Sequence, residues 1–243
     1  MQIKQFAMMT VFLLTSALLC AQEFNGQPTR KSIKKIVLDP GYKTISVSLT
    51  SGEKWPMKLS VPSKVRAEKV PMVVALHWGV SGNENKEFIN CLMIPGIDTS
   101  QYIIISPLSQ NQFWWENPKE KQLVRLIELI MEYWPVNKVI MAGYSDGATG
   151  AVHFASKHHD MIDGAIAMAG YYKPASYKVP TYVIHGVKDQ LFSYSRARAI
   201  LERNQQNSEQ VVFISSETLS HYEACNYVEL LKEAFRWIEQ NTD

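Results

Sequence analysis

The spacing of apolar and polar positions changes several times along the chain. Thr44 to Leu49 alternates, with Ile45, Val47 and Leu49 apolar, and Met57, Leu59 and Val61 repeat the alternation after Ser51-Gly52. A period of two on either side of a turn predicts an antiparallel hairpin with one face buried. Beyond it come short, uninterrupted apolar runs at Met72 to Leu76, Tyr102 to Ile105, Val139 to Ala142, Gly164 to Met168 and Tyr182 to Ile184. Such runs suit strands covered on both faces, as in a parallel sheet. Between them lie spacings of three and four: Leu123, Leu126, Ile127, Ile130, Met131 and Trp134, and later Tyr227, Leu230, Leu231, Ala234, Phe235 and Ile238. Each set predicts an amphipathic helix. Strands alternating with helices imply right-handed crossovers, so the expected fold is α/β: a mostly parallel sheet with helices on both faces, entered through an antiparallel N-terminal hairpin. The long connections, Ser106 to Pro118 and Gly170 to Val179, both leave the carboxyl ends of strands. That edge is where open α/β sheets bind ligands.

The N-terminus follows another logic. Lys4 precedes an apolar run from Met8 to Leu19 that ends in Leu19-Cys20-Ala21-Gln22. This is the layout of a secretory signal peptide, residues 1 to 21, cleaved near Ala21. The run is shorter than the roughly 20 residues a spanning helix needs, and no later stretch is long enough, so no transmembrane segment is expected. Lipid attachment at Cys20 is the competing reading, but bulky Leu19 stands where that processing wants a small residue. Export to a secreted or periplasmic location is therefore favoured. Residues 22 to 42 read as a polar arm and residues 43 to 243 as one domain, a size at which a single core is normal.

Charge narrows the partners. Against 23 acidic side chains stand 25 Lys and Arg, a formal +2, and cleavage removes Lys4 from that balance. Nothing in it steers a polyanion. The cluster Arg30, Lys31, Lys34 and Lys35 has no accompanying aromatic platform and reads as a solvated arm, so no nucleic-acid partner is expected. Cleavage leaves Cys91 and Cys225. They could pair in an oxidising compartment only if their loops meet, and two free buried thiols are the favoured reading. The sequence carries no signal of oligomeric state.

Candidate chemistry centres on Gly143-Tyr144-Ser145-Asp146-Gly147. It matches the nucleophile-elbow pattern, follows a predicted strand and precedes an Ala-rich helical stretch (Ala148, Ala151, Ala155). The glycines would relieve collisions at a turn that holds the serine in strained geometry. A serine hydroxyl needs a base within reach and a third group to orient that base. His221 lies in the loop Thr218 to Glu223, between the apolar run Val211 to Ile214 and the last helix, at the same sheet edge as the elbow. Asp189 follows the strand at 181 to 184 and is expected at its carboxyl end. His153 lies within the elbow helix and His185 ends a strand. His158, His159 and Asp160 lack the spacing of a metal site and read as a solvated helix end. An oxyanion hole would draw one N–H from Asp146 and another from the loop Leu76 to Gly82. Trp114 and Trp115 are equally placed to pack a loop or to face a substrate, and Tyr171 and Tyr172 follow a strand at the same edge. No phosphate loop or dinucleotide fingerprint is present.

Taken in order, "ALHWGVSGN", "GYSDG", "VIHGVKD" and "LSHYEA" resemble the α/β-hydrolase serine esterases, most closely the branch of phospholipase/carboxylesterases, feruloyl esterases and polyhydroxyalkanoate depolymerases. The resemblance covers about residues 55 to 240. It implies Ser145 as nucleophile, Asp189 as acid, His221 as base and an oxyanion amide at Asp146, with no cofactor or metal. The family's usual His-Gly-x-Gly becomes His77-Trp78-Gly79 here, which leaves Trp78 and Gly79 both open as the second amide. The implied activity is hydrolysis of carboxylic esters, of short-acyl or aromatic kind, on a carbohydrate or other small alcohol. The substrate contacts expected are Trp114, Trp115 and Tyr171. Two other readings stand beside it. One is a peptidase of the same fold, whose usual sieving domain is missing from this sequence; the other is a binding protein that kept the fold and lost the chemistry, as a retained triad argues against.

Overall fold

The computed structural model describes residues 26–79, 84–174, 176–207 and 210–242. The signal segment 1–21, the start of the arm and residues 80–82 of the expected oxyanion loop lie outside them. Strands β1 (Gly41–Ser48) and β2 (Lys54–Val61) form the hairpin, paired antiparallel with Ile45 opposite Met57 and Val47 opposite Trp55. The remaining strands are β3 (Val70–Leu76), β4 (Ile103–Pro107), β5 (Val136–Tyr144), β6 (Gly164–Met168), β7 (Thr181–Lys188) and β8 (Val211–Ser220). They assemble into one eight-stranded sheet of order β1-β2-β4-β3-β5-β6-β7-β8, parallel from β4 to β8, with β2 antiparallel to β4. The predicted sheet is the observed one.

Each continuous apolar run splits its residues between two cores, as period-two side chains on a doubly covered sheet must. Val74, Leu76, Met141, Ala165, Ala167 and Val183 point to one face. There they meet α1 (Arg30–Lys35), α3 (Lys119–Tyr133), α4 (Asp146–Lys157) and α5 (Tyr194–Asn207). Val73, Ala75, Ile140, Ala142, Ile166 and Ile184 point to the other. That face is covered by α6 (Val228–Asn241) and by a helical run that opens with α2 (Glu84–Phe88) and continues through a π-helical Ile89–Met93 to Ile94–Gly96. Of the stripe read from Leu123 onward, Leu123, Leu126, Ile127 and Ile130 are on the buried face of α3, whereas Met131 is 41% exposed and Trp134 is the residue after the helix; Leu231, Ala234, Phe235 and Ile238 form the buried face of α6.

Two expectations are corrected. The described part of the N-terminal segment is no free arm. Thr29 caps α1 through its side chain, Ile33 is fully buried, and the Gln122 side-chain amide donates to Gly26 O at 2.8 Å. Arg30 pairs with Glu132 at 3.6 Å and the Lys34 ammonium lies 4.5 Å from the Tyr133 ring centroid, so the basic cluster is partly spent on α3. Ile33 supplies the physical reason: one apolar residue among four cations, on a short capped helix, is enough to dock it. Nor are Cys91 and Cys225 free. They form a disulfide with Cα atoms 5.1 Å apart, joining the π-helical run after β3 to the 3-10 turn Ala224–Tyr227 just beyond His221. Their 134-residue separation hid from the sequence that both loops meet on one face. Among the described residues no helix is long and apolar enough to cross a membrane.

Candidate active site

The carboxyl ends of β3 to β8 deliver every residue of the site. β5 ends in the elbow, where Ser145 has φ 56° and ψ −118° before α4 begins at Asp146. A non-glycine residue held at positive φ is strained by on the order of 1–3 kcal/mol, and the turn tolerates it only because its flanks are bare. A Cβ on Gly143 would lie 2.1 Å from Gly147 O, and one on Gly147 would lie 1.8 Å from Leu76 O. The Ser145 N–H donates to Met168 O at 2.9 Å, which pins the turn to the neighbouring strand.

From this turn Ser145 Oγ faces His221 Nε2 at 3.0 Å, and His221 Nδ1 lies 2.8 Å from Asp189 Oδ2. With Nδ1–H donated to the carboxylate, Nε2 is left as a lone pair facing the hydroxyl, the tautomer a general base needs. Ser145 and His221 are each 6% exposed, and the Asp189 side chain is fully covered. Burial by itself would raise the Asp189 pKa. Hydrogen bonds from His221, from Phe192 N–H at 2.7 Å and from Leu191 N–H at 2.9 Å outweigh it, holding the carboxyl below its ordinary value. It is therefore an anion at neutral pH.

His185, the other histidine near Asp189, is buried and stands 3.6 Å from Oδ2. Burial drives its pKa down. Its Nε2–H donates to Phe192 O at 3.0 Å, so it serves as a neutral support for the loop that carries Asp189. The backbone of His221 is held on both sides: its N–H donates to Gln190 Oε1 at 3.1 Å, and its carbonyl accepts from the Tyr144 hydroxyl at 2.7 Å. Gln190 and Tyr144 escaped the sequence reading. Their signal was adjacency, since each directly neighbours a candidate residue.

The loop after β3 is fixed by His77, which is fully buried. Its Nε2 accepts from Ser109 N–H at 3.0 Å, so Nδ1 carries the proton and donates to Trp78 O at 2.7 Å. The Trp114 indole N–H donates to His77 O at 3.1 Å. Both carbonyls of the His77-Trp78 pair are thus tied down, and Gly79 follows at φ 64°. The Asp146 N–H belongs to the first turn of α4, whose amides have no intrahelical acceptor and whose dipole favours an anion. Burial raises the pKa of the Asp146 side chain, and His221 opposes that rise.

Trp114 is a correction. It is fully buried and packs edge-on against His77 at 5.2 Å between ring centroids, so it anchors the loop and shows no face to a substrate. Phe113 and Trp115 are both half-buried and stack on each other at 4.8 Å, with Trp115 also packed against the core. Tyr172 is buried as well, whereas Tyr171 is half-buried and touches Phe192 at 5.9 Å, and Phe192 in turn packs edge-on against His221 at 5.1 Å. Leu191 and Tyr222, beside Asp189 and His221, stay 53% and 75% exposed. This apolar rim was not read from the sequence. His158, expected to be solvated with His159 and Asp160, instead turns to Glu120 at 2.6 Å.

The strand order, the elbow after β5 and the chain order Ser145, Asp189, His221 are those of the α/β-hydrolase fold. No family model matches the sequence, and no curated protein matches it. Solved structures do. A thermostable esterase superposes with a TM-score of 0.67 at 17% identity, over 83% of this chain and 63% of that one. The fluorophosphonate-binding serine hydrolase FphF of Staphylococcus aureus gives 0.67 at 14% identity, over 82% and 99%. An S-formylglutathione hydrolase from Agrobacterium tumefaciens gives 0.67 at 12%, over 86% and 98%. At these identities the likeness is one of fold.

Proposed function

We propose that this protein is an exported serine esterase that hydrolyses carboxylic esters through an acyl-enzyme on Ser145. The observation that carries the reading is the line from Ser145 Oγ to His221 to Asp189, at 3.0 and 2.8 Å, on a strained elbow. His221 takes the serine proton as Oγ attacks the ester carbonyl, then gives it to the departing alcohol. Water enters by the same route, losing a proton to His221, and releases the acid and the free serine. Asp146 N–H and one amide of Trp78 or Gly79 stabilise the oxyanion. The esterases and serine hydrolases among the structural neighbours support this assignment.

The proposed substrate class rests on the residues carried by the loops at the sheet edge where Ser145 lies. None of the described residues in the connection from β6 to β7 is helical, so no helical cap is built from them over the site. Exposed Leu191 and Tyr222, with Tyr171 and the Phe113–Trp115 stack, suit a short-acyl or aromatic ester borne by a carbohydrate or other small alcohol. The leader read in residues 1 to 21 puts the reaction outside the cytoplasm. Labelling by a fluorophosphonate together with hydrolysis of p-nitrophenyl butyrate tests the proposal. Both are expected in the wild type and neither in Ser145→Ala; a wild type that does neither overturns it.

A further inference from the structure

Away from the site, one carboxylate oxygen is crowded. Glu120 is in the first turn of α3, and its side chain is only 6% exposed. Three donors converge on its Oε1: His158 Nε2 at 2.6 Å, Lys157 Nζ at 2.8 Å and His153 Nε2 at 2.9 Å. A carboxylate oxygen offers two lone-pair directions, one fewer than the donors aimed at it. His153 is in the next-to-last turn of α4, and His158 caps that helix at φ −119° and ψ 34°. Leaving the helical conformation swings the His158 ring back beside His153, which is how two histidines five residues apart come to share one partner.

We propose that Glu120, His153 and His158 form a divalent-cation site suited to zinc. The three ligand atoms lie within 4.8 Å of one another. Zinc bound to nitrogen and oxygen at about 2.0–2.2 Å in a tetrahedron sets its ligands roughly 3.3 Å apart, so small movements of half-buried rings suffice. Two imidazoles and one carboxylate are a donor set zinc favours over calcium or magnesium, and water completes the fourth position. The metal would turn both Nε2 atoms from donors to Oε1 into ligands of the ion and displace Lys157, whose side chain is 57% exposed and free to reach solvent. The oxygen then serves one cation in place of three donors. Such an ion would tie the start of α3 to the end of α4 and take no part in ester chemistry.

The test is a titration of chelator-treated protein with zinc chloride at pH 7.5, followed by calorimetry and by thermal unfolding. One equivalent is expected to bind, and saturation should raise Tm by roughly 5 °C or more. His153→Ala and His158→Ala should each weaken binding at least tenfold, and the double variant should abolish both signals, with ester turnover unchanged in all three. Lys157→Ala should tighten binding, because the competing ammonium is gone. Cobalt in place of zinc should give the intense visible absorption of tetrahedral coordination. Absence of binding to the wild type, binding undiminished in the double histidine variant, or weaker binding in Lys157→Ala would each overturn the proposal.

Discussion

The Tyr144 hydroxyl donates to the backbone carbonyl of His221 at 2.7 Å, so the residue before the proposed nucleophile holds the proposed base in place. Tyr144 is buried, and its ring packs edge-on against Trp78 and Tyr227 at 5.8 and 5.0 Å. One side chain therefore touches the loop after β3, where an oxyanion amide is proposed, and the His221 loop at once. Tyr144→Phe keeps the ring and removes the bond, leaving a covered carbonyl without its donor. A buried hydrogen bond of this kind contributes about 1–1.5 kcal/mol, so kcat for p-nitrophenyl butyrate should fall about tenfold. KM should stay within about twofold, since the change loosens the base and not the binding surface. Steady-state kinetics on the variant check this; wild-type kcat would show that the other contacts of His221, with Asp189, Gln190 and Phe192, hold it without the Tyr144 bond.

Triad members act as a unit, and so should these three. Ser145→Ala, His221→Ala and Asp189→Asn should each lower turnover by about four to six powers of ten while leaving the thermal transition in place. The double variant Ser145→Ala/His221→Ala should be little worse than Ser145→Ala alone, because neither partner works without the other. His159→Ala should retain full turnover. Turnover of butyrate esters by each variant measures all of this, and a His221→Ala enzyme at wild-type rate would place the base elsewhere.

The sheet was legible because each parallel strand is a continuous apolar run, and the elbow because its glycines meet a steric demand that few other sequences satisfy. Asp189 and His221 were legible through topology: each follows a strand at the edge where β5 ends. Contacts across large sequence separations were not legible. Trp114 belongs to His77, 37 residues earlier, and Cys91 to Cys225, and neither spacing nor period encodes such partners. His158 misled for the same reason, since its partner Glu120 lies 38 residues upstream.

Lys119 is fully buried beneath the loop that carries Trp114. Its ammonium donates to Gln110 Oε1 at 3.0 Å and lies 4.4 Å from the Trp55 ring centroid. Burial pushes its pKa down to about 7, against a smaller opposing pull from Glu53. In the unfolded chain the value returns to about 10.4. Between those limits the unfolded state binds more protons, so this group makes stability rise as pH climbs above 7. Urea unfolding at pH 7 and pH 9 should show the wild type gaining on the order of 2 kcal/mol more than Lys119→Met, which has no proton to lose. An equal gain in both proteins would mean that Lys119 stays charged.

Acyl-chain preference tests the proposed substrate class directly. Tyr222 offers apolar surface beside His221 and Leu191 offers it on the Asp189 loop, but both are largely exposed, and none of the described residues between β6 and β7 builds a helical wall around a tunnel. A two- or four-carbon acyl group can be covered by a rim of this size. The remaining methylenes of a palmitoyl chain would stay in water, each forgoing about 0.8 kcal/mol of burial that an enclosed tunnel would supply. Acetyl and butyryl esters, or small aromatic esters of carbohydrate, should therefore exceed palmitoyl esters in kcat/KM by at least about tenfold, equivalent to roughly 1.4 kcal/mol in the transition state. Leu191→Ser and Tyr222→Ser should narrow the butyryl advantage over acetyl, because they remove the apolar surface that the extra methylenes touch. Rates on p-nitrophenyl esters of graded length decide the matter, and a palmitoyl ester turned over as fast as the butyryl one would require an apolar groove larger than this rim.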